Sequence, residues 1–319
     1  MNVCVLGRIG YDLYAVEHNR PLAQVEHFSR HLGGSSANIA IGLARLGLHV
    51  GIIGRLGNDF LADYLLGVLS REGVDTQNVR LVEGYSTSLC LTEVSPPDRF
   101  PQVFYRAKPA DSQVVLGEAE MAYIQQARMF VTNGTSLCAS PSRESTLRAL
   151  STAHAAGLCT VFDVDYRASS WPSSATAGEV ARGALPCVEV LLGNEDELLL
   201  LTGESDASRQ AVAAMSYGVK IVVCKLGAKG VMAHTREGSW SADPIPVDVV
   251  STIGAGDGFA AGFLYALNHG FPLAECLRYG NAAAAVVVSR VSCSDAMPRL
   301  DEVTSLLTAS KATISAKPA

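Results

Sequence analysis

Residues 127–163 read ARMFVTNGTSLCASPSRESTLRALSTAHAAGLCTVFD. Two short apolar runs, Ala127–Thr132 and Cys159–Asp163, enclose Ser142–Ala156, where apolar residues recur at helical spacing. Pro141-Ser142 opens that helix and Gly157 closes it. The same rhythm continues downstream. Val188–Gly193 predicts a strand, Glu195–Leu201 a helix, Val219–Lys225 a strand, and Asp257–Asn268 and Leu273–Val288 two long helices. It also runs upstream, with strands at Val3–Leu6 and Val50–Ile53 and helices at Ala37–Leu46 and Phe60–Glu72, each helix stopped by a glycine. Strand–helix alternation of this kind predicts an α/β fold with a doubly wound, mostly parallel sheet.

Two stretches break the rhythm. Ala23–Phe28 alternates with period two, and so do residues 87–106, which Pro96, Pro97 and Pro101 interrupt. Segments of about 11–32 and 86–111 are therefore expected to pair as a small β-lid on a single domain spanning residues 1–319. Residues 309–319 are polar and aperiodic and are expected to fray.

Composition narrows the function classes. Hydrophobic residues make up 48% and charged residues 18% of 319, which fits a large buried core and excludes a disordered chain. A formal net charge of −6 argues against a nucleic-acid partner, so anionic ligands must be held by local Arg and Lys. The eight cysteines form no C-x-x-C pair and lie mostly in apolar runs, as buried reduced thiols do. No apolar run reaches the roughly 18 residues of a membrane span, and no signal peptide is visible. A cytoplasmic location with no membrane partner is expected.

The sharpest chemical feature is Ser251-Thr252-Ile253-Gly254-Ala255-Gly256-Asp257-Gly258-Phe259, a glycine-rich entry to a helix. Free N–H groups of a first helical turn attract anions. Asp257 among them is either an ordinary first-turn acid favoured by the helix dipole or a base for a substrate hydroxyl. A second such entry is Gly33-Gly34-Ser35-Ser36-Ala37-Asn38, where Asn38, with Asp12 after the first strand, suits a polyol. Tyr105-Arg106 and Asp163-Val164-Asp165-Tyr166-Arg167 each end an extended segment, where ligands of parallel sheets bind. Arg167 is placed to clamp a carboxylate or phosphate, or else lies in solvent. Asn194-Glu195-Asp196-Glu197 suits Mg²⁺ held through water, or simply enriches a helix start in acid. Lys225-Leu226-Gly227-Ala228-Lys229-Gly230 borders a nucleotide or forms a hairpin turn. No G-x-x-x-x-G-K-[ST] loop exists, and Gly7-Arg8-Ile9-Gly10 lacks dinucleotide spacing.

In this order, Gly33-Gly34 with Asn38, Gly57-Asn58-Asp59, Asn194 with Glu197, Lys225–Gly230 and Gly254-Ala255-Gly256-Asp257 resemble the ribokinase-like (PfkB) carbohydrate kinases over nearly the whole chain. The resemblance implies an ATP-dependent kinase with a Rossmann-like core and a lid that often mediates homodimers. It makes Asp257 the base and the N–H groups of Gly254, Ala255 and Gly256 the anion hole. It gives Glu197 and Asn194 to Mg²⁺, and Asp12, Gly33, Gly34 and Asn38 to the sugar. Lys225, Gly227 and Gly230 fall along the nucleotide, with Asn281 near the adenine.

Asp12-Leu13-Tyr14, Phe104-Tyr105-Arg106, Asp163–Arg167 with Trp171, and Val288-Ser289-Arg290 with Cys293 and Met297-Pro298 are similar to one subgroup. Its acceptor is 5-dehydro-2-deoxygluconate, a linear keto acid of myo-inositol catabolism phosphorylated on its terminal hydroxyl. Arg106 and Arg167 would then each neutralise a carboxylate. Kinases of 2-dehydro-3-deoxygluconate, fructose or ribose are the neighbouring alternatives, and a non-catalytic sugar-binding regulator is one of a different class. Two departures stand out. Ser251-Thr252-Ile253 replaces the family's frequent Asp-Thr-Thr, which argues against a monovalent cation site, and Ala168 replaces a common Pro.

Overall fold

Val3–Leu6 (β1) is apolar and buried at every position, the pattern of a strand covered on both faces. In the computed structural model, which describes residues 1–96, 99–310 and 313–318, it lies inside the main sheet, third from one edge. The other strands are Gly10–Ala15 (β2), Phe28–Gly33 (β3), Val50–Gly57 (β4), Asp75–Val82 (β5), Leu89–Thr92 (β6), Gln102–Tyr105 (β7) and Met129–Asn133 (β8). Cys159–Asp163 (β9), Val190–Asn194 (β10), Ile221–Lys225 (β11), Val231–Thr235 (β12), Gly238–Ala242 (β13) and Ile314–Pro318 (β14) complete the set. Among the described residues, ten strands form one sheet in the order β14-β13-β12-β11-β10-β9-β8-β1-β4-β5. Every pair from β5 to β11 is parallel, and β11 through β14 are antiparallel.

The chain leaves β1 toward β4 on one side and later returns to β8 on the other. That reversal opens a crevice at the carboxyl ends of the strands, where open α/β sheets bind their ligands. The helices Ser35–Arg45, Ala255–Asn268 and Leu273–Val288 pack on one face around Val5, Ile52 and Leu192, and the helix Ser142–Ala155 packs on the other around Phe130 and Phe162.

The two alternating stretches supply a second sheet, β3-β2-β6-β7. Asp59 ties it to the core. This carboxylate caps the helix Phe60–Arg71 through Ala62 N–H (3.1 Å) and accepts Thr87 N–H and Oγ1 (2.9 Å each). The acidic residue of Gly57-Asn58-Asp59 is thus a hinge anchor.

The C-terminal stretch departs from expectation. Residues 314–318 do not fray but pair antiparallel with β13, and Asp243 N–H reaches Thr313 O (3.1 Å). The open edge of β13 offers unpaired backbone groups, and a polar strand satisfies them as well as an apolar one. Residues 311, 312 and 319 of that stretch, and Pro97 in the lid, lie outside the described residues. All eight cysteines are free, five of them buried. Among the described residues no helix is long and apolar enough to cross a membrane.

Candidate active site

Gly254 has φ +81°, and a Cβ there would stand 3.2 Å from Cys293 Cα, so glycine both permits the turn and clears the contact. The helix Ala255–Asn268 starts directly after it and points its first turn into the crevice. Ala255 N–H folds back to Thr252 O (3.3 Å). Among the described residues the N–H groups of Gly254, Gly256 and Asp257 have no acceptor, so the open donors are these three rather than Gly254, Ala255 and Gly256. This is a ready anion site.

Asp257 stands in that first turn and is held by Asn38, whose Nδ2 donates to Asp257 Oδ2 (2.8 Å). Asn38 is itself buried in the helix Ser35–Arg45. Gly34 enters that helix at φ +92°, where any Cβ would lie 2.4 Å from Arg8 O. The first strand's loop and the second glycine-rich motif therefore lock together.

Asp257 lines a cleft of ≈ 780 Å³ with Arg167, Glu197, Lys225, Gly254 and Asn281. Lys225 ends β11, and its Nζ reaches both carboxylate oxygens of Asp163 at the end of β9 (3.1 and 3.0 Å). Burial would lower the Lys225 pKa, but Asp163 and Glu197 outweigh it and hold the ammonium above the ordinary lysine range. A Cβ on Gly256 would stand 3.5 Å from that Nζ, so the cation borders the anion site. Arg167 Nη2 pairs with Asp165 (3.1 Å) and remains half exposed to the cleft, with Asp165 raising its pKa further. Asp165 sits at φ +34°, a backbone conformation that Asp tolerates better than most residues.

Asn194 and Glu197 form a reciprocal cap. Asn194 Oδ1 accepts Glu197 N–H, and Glu197 Oε2 accepts Asn194 N–H (2.8 Å each). Glu197 Oε1 also accepts Tyr166 N–H (3.1 Å), so one carboxylate bridges two strand-end loops. No group of three or more His, Cys, Asp or Glu is placed for a metal among the described residues. That donor set fits Mg²⁺ carried mainly by phosphates and water, not a protein cage. Lys225–Gly230 is both a hairpin turn, joining β11 to β12, and a wall of the cleft through Gly227 and Gly230. Asn281 lines the cleft too, but its Nδ2 donates to Ala242 O (3.2 Å) and Asp243 O (2.8 Å), so its amide anchors the end of β13.

Two expected residues lie elsewhere. Tyr105 and Arg106 line a different groove, with Phe104, Thr87 and Ser170, and do not join Asp257. Arg106 is partly buried and paired with Asp111, and its Nη1 donates to Ser170 (2.9 Å). The lid strand turns them away because Arg106 finds its counter-charge within the same loop.

The sequence placed Asp163 and Asp165 in the motif of Arg167 without a role of their own, and it passed over the segment 244–247. Asp163 and Asp165 carry the charge network, and Pro244, Ile245, Pro246 and Val247 line an apolar part of the cleft. A carboxylate ending an apolar parallel strand was the signal for Asp163. The apolar segment has no periodicity, so it carried none.

Asp12 is 6% exposed and packs on Gly33, where a Cβ would overlap Asp12 Oδ2 at 2.0 Å. Burial raises its pKa from 3.8 to about 6, with Arg8 and His31 pulling back. A carboxyl that binds its proton more tightly when folded costs stability as pH rises from about 4 through about 6. Asp12→Asn is therefore expected to be more stable than wild type at pH 8, by about 3 kcal/mol. The gain should shrink steadily below pH 6. Thermal melts at pH 8 and pH 4.5 check it, and an equal gain at both would show that ionisation of Asp12 is not the cause.

Comparison with known proteins gives the family. Residues 1–300 match the family model described as pfkB family carbohydrate kinase. A 5-dehydro-2-deoxygluconokinase of Lacticaseibacillus casei is 37% identical over 310 residues, covering 96% of this chain and 95% of that protein. A solved PfkB protein from Polaromonas sp. JS666 superimposes with TM-score 0.85 at 28% identity, over 95% of this chain and 99% of the other. A putative ribokinase II from E. coli, solved with ATP and Mg²⁺, shares the fold with TM-score 0.88 at 22% identity, over 97% and 99%. A glycine-rich helix start carrying a carboxylate, opposite a second glycine-rich helix start, thus sits on a matching fold and a matching sequence: the chain belongs to the pfkB family of carbohydrate kinases and is an ATP-dependent carbohydrate kinase.

Proposed function

We propose that the chain transfers the γ-phosphoryl group of ATP to the terminal hydroxyl of 5-dehydro-2-deoxy-D-gluconate, a linear keto-deoxy sugar acid. The observation that carries the reading is a carboxylate and a cation in one cleft: Asp257 and Arg167 both line it. The name of the Lacticaseibacillus casei relative points to the same acceptor.

In this reading Asp257 accepts the hydroxyl proton as the acceptor oxygen bonds to phosphorus and the bond to the ADP oxygen breaks. The open N–H groups of Gly254, Gly256 and Asp257 hold the phosphoryl oxygens. Lys225 supports them with a charge already fixed by Asp163. Mg²⁺ belongs beside Glu197 and Asn194, where it neutralises phosphate charge. The apolar lining of Pro244, Ile245, Pro246 and Val247 suits the adenine. Ser251 Oγ closes its own turn by accepting Ile253 N–H (3.2 Å).

A coupled ADP-release assay over sugar acids and neutral sugars tests the proposal. The expected order is 5-dehydro-2-deoxygluconate first, with kcat/KM at least tenfold above 2-dehydro-3-deoxygluconate and further above fructose and ribose. A preference for a neutral sugar would replace the acid reading with a fructokinase or ribokinase. Sugar binding without ADP formation would make the chain a regulator.

A further inference from the structure

We propose that Arg8 is the second cation that recognises the acceptor's carboxylate, the part that the sequence resemblance gives to Arg106. The inference rests on the sugar-acid reading above and deepens it.

Arg8 follows β1 and is only 8% exposed. Its Nε and Nη1 are buried without any hydrogen-bond partner. Among the described residues, Arg106 pairs with Asp111, Arg167 pairs with Asp165, and Lys225 pairs with Asp163, but Arg8 has no carboxylate within ion-pair distance. Its guanidinium lies 5.5 Å from the Phe104 ring of the lid, an attractive but weak contact. A buried cation without a contact anion is costly, and proteins keep such groups where a ligand supplies the missing charge.

The backbone around Arg8 is shaped to keep that group free. Gly10 and Gly33 face each other across β2 and β3. A Cβ on Gly10 would stand 3.1 Å from Arg8 Nη1, and one on Gly33 would overlap Asp12. Two opposed glycines thus clear space for one guanidinium and one carboxylate over the same patch of lid sheet. Asp12 Oδ1, Asn38 Oδ1 and Asp165 Oδ2 are likewise buried and unpartnered. Asp12 and Asp165 both feel the charges of Arg8 and Arg167, so the two arginines and two carboxylates form one cluster. Three unpartnered acceptors and one unpartnered fork of donors complement a molecule with several hydroxyls and one carboxylate. Arginine suits the carboxylate end because its planar fork offers two parallel hydrogen bonds.

The experiment is steady-state kinetics of wild type, Arg8→Gln and Arg8→Lys on 5-dehydro-2-deoxygluconate and on fructose. Arg8→Gln is expected to lower the acid-over-fructose ratio of kcat/KM on the order of 10²-fold, mostly through KM for the acid. Arg8→Lys keeps the charge and loses the fork, so its ratio falls roughly tenfold. It also keeps the fold if the glutamine variant does not, and its ratio then decides alone. Parallel losses on both substrates, or an unchanged ratio, overturn the role of Arg8 while leaving the acid reading intact. A wild-type enzyme without preference for the acid overturns that reading and the role of Arg8 with it.

Discussion

Asp257→Asn is expected to fold, melt near the wild-type temperature and bind ATP, yet to lose two to four orders of magnitude in kcat. The size follows from what a positioned base contributes to proton transfer. The substitution is nearly isosteric, and Asn38 Nδ2 retains an oxygen to donate to at the place of Asp257 Oδ2. The open N–H groups of Gly254 and Gly256 belong to the backbone and are untouched. ATP binding, measured by calorimetry, should therefore change little, while single-turnover phosphoryl transfer collapses. A kcat within threefold of wild type would remove Asp257 as the base. A matching loss of ATP affinity would instead make it part of the nucleotide site.

Lys225→Met should be the most damaging change to stability, by about 3–5 kcal/mol, because it strands the buried Asp163 carboxylate. The Lys225 side chain is 17% exposed and that of Asp163 only 3%, so water cannot take over the lost partner. In chemical denaturation the midpoint should drop with an unchanged slope. The double variant Lys225→Met/Asp163→Leu should recover much of the loss, because replacing both charges by apolar groups removes the stranded ion. Neither variant should regain ATP affinity, since Lys225 Nζ also borders the anion site at Gly256. A single variant within 0.5 kcal/mol of wild type would show that the pair contributes little. A double variant no better than the single would show that packing, not charge, is what was lost.

Much of the fold is legible in the sequence because it is local. Apolar runs such as Val3–Leu6 and Cys159–Asp163 are strands on both readings, and glycines such as Gly73 and Gly157 end helices as expected. The strands that escape notice are those whose burial is one-sided or slight. β5 is half polar on an edge beside β4, and β12–β13 is a hairpin on the antiparallel side of the sheet. β14 is polar and is recruited only because β13 would otherwise present an open edge.

The site divides in the same way. The sequence by itself determined the glycine-rich helix starts and the carboxylate at Asp257, because turn chemistry and helix-terminus donors depend on a few consecutive residues. It also determined the parallel sheet whose strand ends gather them. Which charges reach the cleft was decided only by the tertiary structure, since the Lys225–Asp163 pair brings together side chains from two different strands. Arg106 and Arg167 look alike in sequence, but one is partly buried against Asp111 in its own loop and the other faces the cleft. Arg8, passed over in the sequence within Gly7-Arg8-Ile9-Gly10, is a cation with two donors, Nε and Nη1, that the fold leaves buried and open and, among the described residues, with no carboxylate in ion-pair contact. Arg106 and Arg167 each pair with a carboxylate a few residues away, but which of the two faces the cleft is set by how the lid and the strand ends pack, and no local pattern encodes that placement.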